Sequence, residues 1–265
     1  MKAINKIFKI SLVFLIVSMS LFCVGCSEKQ NEVVAILHAG GAYNGLTYLN
    51  AQETFDGYYN QGYRYFEYDL QLSSDGRIIG THCWEYLNIQ NSEMITYEEF
   101  KALKLSNGLT PVNEEWLIET IIAHPDVKIV VDAKMPTTEQ DALVLQRLET
   151  LEKIYNCDIS SNIIPEVFSK EMWDIVKETT TFDKYFFSHY KVYYSVNYIL
   201  KNFDDERIYG IAFSIDSDSY FKSQIHLFKA AGKKIFIFTA VTEDDVAKAI
   251  KLGADGIYVD DVSIM

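Results

Sequence analysis

Eight short apolar runs alternate with longer amphipathic stretches from residue 33 to the end of the chain. The runs occupy residues 33–37, 64–72, 128–131, 162–168, 184–188, 208–213, 234–238 and 256–259. Short apolar runs separated by helical patterns are the signature of βα units, and strands covered by helices on both faces form parallel sheets. Eight strands with helices between them match a (β/α)₈ TIM barrel, an α/β fold, in count and length. No Pro/Gly-rich linker or low-complexity tract interrupts the alternation, and the chain holds four prolines in all. One domain over residues 33–265 is therefore expected. One connection is long, residues 83–112, with Gly108-Leu109-Thr110-Pro111 near its end. It predicts a small lobe inserted after the second strand, at the barrel mouth.

Barrel geometry sorts the polar residues, because the C-terminal ends of the strands carry the site in this fold. His38 ends the first predicted strand. Glu67 and Asp69 stand two apart toward the end of the second, and strand alternation puts them on one face. His82 ends a short extension of that strand over residues 77–81. The third strand runs directly into Asp132-Ala133-Lys134, so Asp132 and Lys134 also share a face. Neighbouring acids repel, and a divalent cation is the commonest way to keep them ionised. Hard oxygen ligands suit Mg²⁺ or Ca²⁺. For a lone Glu-x-Asp a solvated strand face is the more frequent explanation. The flanking histidines and the third acid reverse that preference.

The N-terminus predicts a location. Lys2, Lys6 and Lys9 precede an uncharged apolar run over residues 10–24, which fits a signal peptide over residues 1–25 better than a membrane span. Its end, Leu21-Phe22-Cys23-Val24-Gly25-Cys26-Ser27, resembles a bacterial lipoprotein processing site, apart from Cys23 where such sites usually carry leucine. Cys26 would be the lipidated residue and residues 26–32 a polar tether, which makes the chain an extracytoplasmic, membrane-anchored lipoprotein. The competing reading is an uncleaved anchor helix. Removing residues 1–25 takes three lysines and no acids from a formal charge of −13, leaving −16. A chain so acidic, with no basic patch, is not built to bind nucleic acid. With Cys26 lipidated, only Cys83 and Cys157 could pair, and the fold places them at opposite ends of a barrel.

The order His38-Ala39-Gly40-Gly41, Glu67-Tyr68-Asp69, Asp75-Gly76, His82-Cys83-Trp84 and Asp132-Ala133-Lys134 resembles the glycerophosphodiester phosphodiesterases, in a branch that begins His-Ala-Gly-Gly. Residues 48–53, 97–100 and 253–260 are similar to that branch as well, so the resemblance spans about all of 33–262. It implies a TIM barrel, with Glu67, Asp69 and Asp132 as ligands of one divalent cation. It further implies His38 and His82 as an acid/base pair and Lys134 as a phosphate contact. The expected substrate is a small-molecule or lipid-headgroup phosphodiester. In the family, a substrate hydroxyl beside the phosphate is thought to attack it, giving a cyclic phosphate that water then opens. There are departures. The family's arginine after the first histidine is Ala39, the aspartate after the second is Cys83, and the third ligand is Asp132 rather than Glu. Near the seventh strand a Trp-Thr-x-Asn pattern reads Phe238-Thr239-Ala240-Val241. Trp84 and Phe238 are added as substrate-facing aromatics. The Asp-x-Lys form also occurs in related sphingomyelinase D and phospholipase D toxins. A phospholipase acting on a lipid headgroup is thus one rival, and a degenerate barrel that binds a ligand without turnover is another.

The remaining signals are weaker. His124 lies at the wrong end of the barrel for chemistry, and His226 falls in a helical stretch. His189-Tyr190 follows the fifth strand and could line the pocket. Gly40 and Gly41 could bring the backbone close to a phosphate or simply make a turn.

Overall fold

The computed structural model describes residues 33–87, 89, 95–105 and 108–265. The leader and tether expected over residues 1–32, Cys26 included, lie outside them. The described strands are β1 Val34–Leu37, β2 Tyr65–Leu72, β3 Ile78–Gly80, β4 Lys128–Ala133, β5 Ile163–Val167, β6 Tyr185–His189, β7 Ile208–Ser214, β8 Lys234–Ala240 and β9 Gly256–Val259. All eight apolar runs form strands. Each pairs in parallel with its neighbours in the order β1-β2-β4-β5-β6-β7-β8-β9, and β9 pairs back to β1, closing a (β/α)₈ barrel. The short extension is β3, antiparallel to β2.

The described helices are α1 Glu53–Asn60, α2 Tyr97–Lys101, α3 Glu114–Ala123, α4 Thr138–Tyr155, α5 Lys170–Thr179, α6 Val196–Asn202, α7 Ser219–Ser223, α8 Ile225–Ala230 and α9 Glu243–Lys251. Several start where a short polar side chain can take an otherwise unsatisfied backbone N–H. Thr137, Ser169, Ser195 and Thr242 accept from Gln140, Met172, Tyr198 and Asp245 in this way. Each of these caps follows the C-terminal end of a strand, so it also fixes the loop that carries mouth residues. Losing one costs about 1 kcal/mol.

The core has two parts. Helices cover the outside of the barrel through a large apolar layer that includes Leu37, Phe66, Val131, Phe187 and Phe213. Inside, Ile36, Val130, Ile164, Phe186, Ala212, Phe236 and Tyr258 plug the barrel. Phe236 fits there because β7 and β9 present glycines to it. A Cβ on Gly210 would collide with the Phe236 ring, and one on Gly256 would lie 2.7 Å from it. Phe236 can then stack on Phe186 with ring centroids 4.0 Å apart. This plug is the floor of the mouth. Alternation sets the next inward residues one step higher: Asp132 above Val130, Glu166 above Ile164 and Ser188 above Phe186.

The long connection after β3 carries α2, opened by a capping box between Thr96 and Glu99. Ile79, Trp84, Leu87, Tyr97 and Phe100 form a separate small apolar cluster there. Cys83 and Cys157 are not joined by a disulfide. No helix among the described residues is long and apolar enough to cross a membrane.

Candidate active site

One cavity at the C-terminal end of the barrel is lined by His38, Glu67, His82, Asp132 and Lys134, together with Tyr48, Glu166, Ser188, Tyr190, Phe238, Thr239 and Tyr258. Two histidines, two of the three acids and the lysine named from sequence thus share its wall. Asp69 lies just behind, on the same face of β2 as Glu67.

The three acids are buried, with Glu67 at 2%, Asp69 at 1% and Asp132 at 8% exposure. Each offers an oxygen within 4.8 Å of the others'. The pairing of β2 with β4 explains this, because Asp69 stands directly opposite Asp132. Their hydrogen bonds are incomplete. Glu67 Oε2 accepts the Ala39 N–H at 2.7 Å, and Asp69 Oδ2 accepts from Asn50 Nδ2 at 2.9 Å. Glu67 Oε1 and Asp69 Oδ1 are buried with no hydrogen-bond partner among the described residues. Lys134 Nζ sits 2.5 Å from Asp132 Oδ2 and 3.4 Å from Asp69 Oδ1. One ammonium therefore pairs with two of the three carboxylates. Burial first, then Asp69 and Asp132, raises the Glu67 carboxyl well above the usual carboxylate range. Asp132 is also raised by burial, against the pull of Lys134. Burial disfavours the Lys134 ammonium, but Asp132 and Asp69 outweigh it and raise its pKa. Orphaned, mutually repelling carboxylate oxygens at this spacing fit a hard divalent cation.

His38 is fixed from the far end of the chain. Its Nδ1 lies 2.7 Å from Asp260 Oδ1. A carboxylate partner requires the proton on Nδ1, which leaves Nε2 as the free lone pair, 4.0 Å from Glu67 Oε2. Barrel closure makes this contact, since Leu37 of β1 pairs with Val259 of β9 and the next residues are His38 and Asp260. Tyr48 stands edge-on to both histidines, with centroids 4.6 Å from His38 and 5.6 Å from His82. The His82 carbonyl accepts from Gln71 Nε2 at 3.2 Å.

The turn after His38 is tightly constrained. Ala39 has φ +48°, and Gly40 and Gly41 have φ +82° and +89°. A Cβ on Gly40 would lie 2.8 Å from the Tyr68 ring and one on Gly41 2.6 Å from the Tyr58 ring. Both glycines are held by the turn and by close packing. Phe238 lines the cavity. Trp84 lies in the insertion's apolar cluster at 5% exposure and borders an adjoining pocket with Gln71, His82, Cys83, Lys134, Met135 and Pro136.

Several further mouth residues receive no specific role from the sequence, which offers Tyr190 only as a residue that could line the pocket and leaves Asn50, Tyr258 and Asp260 within segments similar to the family. Tyr190 OH lies 3.1 Å from Asp132 Oδ2 and 3.2 Å from Lys134 Nζ. Asn50, Asp260, Glu166 and Tyr258 also belong here. Of the dipeptide after β6, only Tyr190 reaches the cavity. His189 Nε2 instead accepts the Tyr194 N–H at 3.0 Å, and its ring stacks on Phe221. His124 caps α3 beside Tyr59, away from the mouth, and His226 is exposed on α8.

A closed barrel with two histidines, three acids and a lysine at its mouth has the architecture of the phospholipase C-like phosphodiesterases. The model of the glycerophosphoryl diester phosphodiesterase family matches residues 39–264, and the chain belongs to that family. Solved structures share the fold at low identity. A glycerophosphodiester phosphodiesterase from Thermotoga maritima is 20% identical with TM-score 0.67, covering 88% of this chain and 96% of its own. One from Parabacteroides distasonis is 17% identical with TM-score 0.68, covering 87% and 93%. A phosphodiesterase from Oleispira antarctica, solved with the product sn-glycerol-3-phosphate, is 17% identical with TM-score 0.66, covering 86% and 92%. No curated protein matches the chain.

Proposed function

We propose that this protein cleaves a glycerophosphodiester-type substrate by acid/base catalysis between His38 and His82. The observation that carries this reading is the convergence of both histidines, Glu67, Asp132 and Lys134 on one cavity, with Asp69 directly behind and within reach of the other two acids. Glu67, Asp69 and Asp132 would hold one divalent cation, Mg²⁺ or Ca²⁺, which supplies charge neutralisation and polarises a phosphoryl oxygen when bound. Lys134 offsets part of the phosphate's charge as a point charge, since Ala39 leaves no guanidinium beside His38. Asp260 keeps the Nδ1 proton on His38, so Nε2 is ready to take or return a proton on the cavity side. One histidine removes the proton of the attacking hydroxyl, and the other protonates the leaving alcohol oxygen as the P–O bond breaks. The product bound in the Oleispira antarctica phosphodiesterase supports a small glyceryl phosphate as the retained half.

An assay of the purified protein against glycerophosphodiesters, lysophospholipids and phosphoinositides, with and without chelator, tests this. Cation-dependent release of an alcohol from a glycerophosphodiester is expected. Preference for a phosphorylated lipid headgroup would favour the phospholipase reading. Tight binding with no cleavage of any of these would turn the assignment to a ligand-binding barrel, which the missing arginine at Ala39 favours.

We also propose that Cys26 is lipidated and anchors the protein outside the cytoplasm. The supporting observation is the apolar run over residues 10–24 ending at Gly25-Cys26. Intact-mass measurement of the native protein should find Cys26 as an acylated N-terminus, and an unmodified Cys26 would remove the claim.

A further inference from the structure

A phosphodiester brings one negative charge, and attack on phosphorus adds more to its non-bridging oxygens. Lys134 is the only lysine or arginine among the described residues that line the cavity. Its ammonium is already surrounded by protein oxygens. Asp132 Oδ2 lies 2.5 Å away, Tyr190 OH 3.2 Å and Asp69 Oδ1 3.4 Å. An ammonium has three protons to give, so a phosphate contact displaces one of these acceptors. The phenol is the neutral one of the three and therefore the weakest.

Tyr190 is held so that its hydroxyl stays where it is when that happens. It follows β6 directly, and His189 before it is tied down by the Tyr194 N–H and by stacking on Phe221. The Tyr190 ring meets Phe168 and Phe238 edge-on, with centroids 5.1 and 5.9 Å apart. Its hydroxyl donates to the Asp132 carboxylate, 3.2 Å from Oδ1 and 3.1 Å from Oδ2. Both distances are long for an O–H···O bond. The proton is thus loosely shared, and rotation about the Cζ–O bond redirects it without moving the ring.

We propose that Tyr190 is a catalytic residue whose hydroxyl donates a hydrogen bond to the same phosphoryl oxygen as Lys134. This rests on the phosphodiesterase reading and adds a member to its site. Donors 3.2 Å apart can both reach one oxygen at ordinary hydrogen-bond distance. Together they make the two-pronged contact that Ala39 cannot supply beside His38. Tyr190 keeps its proton throughout. The bond strengthens as charge grows on the oxygen, so it favours the transition state over the bound substrate.

The test uses Tyr190→Phe, which keeps the ring and removes only the hydroxyl. Its substrates are glycerophosphocholine and the two isomers in which sulfur replaces one non-bridging oxygen. On the oxygen ester kcat should fall by about 10²-fold, the usual loss of one such donor, with KM within a few-fold of native. Mg²⁺ affinity measured by calorimetry should stay close to native. Sulfur is a weak acceptor, so in one isomer it already forfeits this bond. For that isomer alone, the slowing caused by sulfur should shrink in the variant. Near-native kcat would overturn the proposal. A marked loss of Mg²⁺ affinity would make Tyr190 a support for Asp132 instead, and equal slowing of all three esters would make it structural. No cleavage of any ester by the native protein would overturn the phosphodiesterase reading, and the role of Tyr190 with it.

Discussion

Two buried carboxylate clusters in this barrel have opposite construction. Glu114, at the start of α3, is fully buried and completely served. Arg77 Nε and Arg147 Nη2 lie 2.5 and 2.7 Å from Oε1, while Arg147 Nε and the Ile78 N–H lie 2.8 and 3.0 Å from Oε2. At the mouth, Lys134 pairs with Asp132 and Asp69 but not with Glu67, and two of the three acids' oxygens have no hydrogen-bond partner among the described residues. The same two forces act in both places. Burial pushes each carboxyl up, and neighbouring cations pull it down. At Glu114 the cations win and the pKa is lowered. At Glu67 and Asp132 they lose and it is raised. The first cluster is closed within the chain and joins β3, α3 and α4. The second is incomplete without charge from outside, which separates a structural ion cluster from one built for a ligand.

If that division holds, activity and stability can be changed separately, and the largest effect lies at the mouth. His38→Ala and His82→Ala should each lower kcat by about 10²–10⁴-fold, the usual contribution of a positioned acid or base. Cation affinity measured by calorimetry should stay close to native in both. Arg147→Met, in the closed cluster, should leave kcat within a few-fold of native while lowering the melting temperature. Near-full turnover by either histidine variant would make that histidine structural. A collapse of turnover in Arg147→Met would break the comparison from the other side.

The mouth was legible in sequence where its residues lie on the strand that places them. Glu67, Asp69, Asp132 and Lys134 follow from two-residue alternation, and His38 follows from the end of a run. Asp260 is invisible locally because barrel closure alone brings it to His38, 222 positions away. Topology still carries a signal, since a closed barrel pairs its first and last strands and Asp260 directly follows the last. Glu166 had a fainter sign as a lone acid within an otherwise apolar strand, in phase with the inward Ile164. Asn50 and Tyr190 sit on loops whose course no periodicity describes. Trp84 has neighbours of both kinds. The apolar residues around Ile79 pack it into the insertion's cluster, while it also borders the pocket that His82 and Lys134 line.

The next effect in size is on stability, and the comparison predicts opposite signs. Glu114→Gln removes the charge that two partly buried arginines were folded around. It should cost on the order of 2–4 kcal/mol, somewhat below the range for fully buried pairs because Arg77 and Arg147 keep some solvent. Glu67→Gln removes a repelled charge and keeps the Ala39 contact to an oxygen. In cation-free protein it should leave stability unchanged or raise it by about 1 kcal/mol. Denaturant unfolding of both variants in chelator reads the two outcomes. Equal destabilisation by the two changes would mean that the mouth acids are compensated within the chain after all.

The smallest effect is the slope of stability with pH, and its sign distinguishes the clusters most cleanly. Glu114 has a lowered folded pKa, so its contribution is complete above the unfolded carboxylate value and fades as pH falls through the folded one. Glu67 and Asp132 run the other way, because the folded protein holds their protons more tightly than the unfolded chain does. Glu166 joins them, pushed up to about 7 by burial first and then by Asp132. For these groups the folded state is favoured below the unfolded value, and that advantage is lost as pH rises through the folded one. Cation-free protein should therefore lose on the order of 1–3 kcal/mol of stability between about pH 4.5 and 7. Glu166→Gln should flatten part of that decline, while Glu114→Gln should alter only the acid limb. Saturating Mg²⁺ or Ca²⁺ should abolish the share due to Glu67 and Asp132, because a bound cation favours their charged forms. Melting temperatures measured across this range, in chelator and in excess cation, give both slopes. A decline that persists unchanged with the cation present would show that these carboxylates do not bind it.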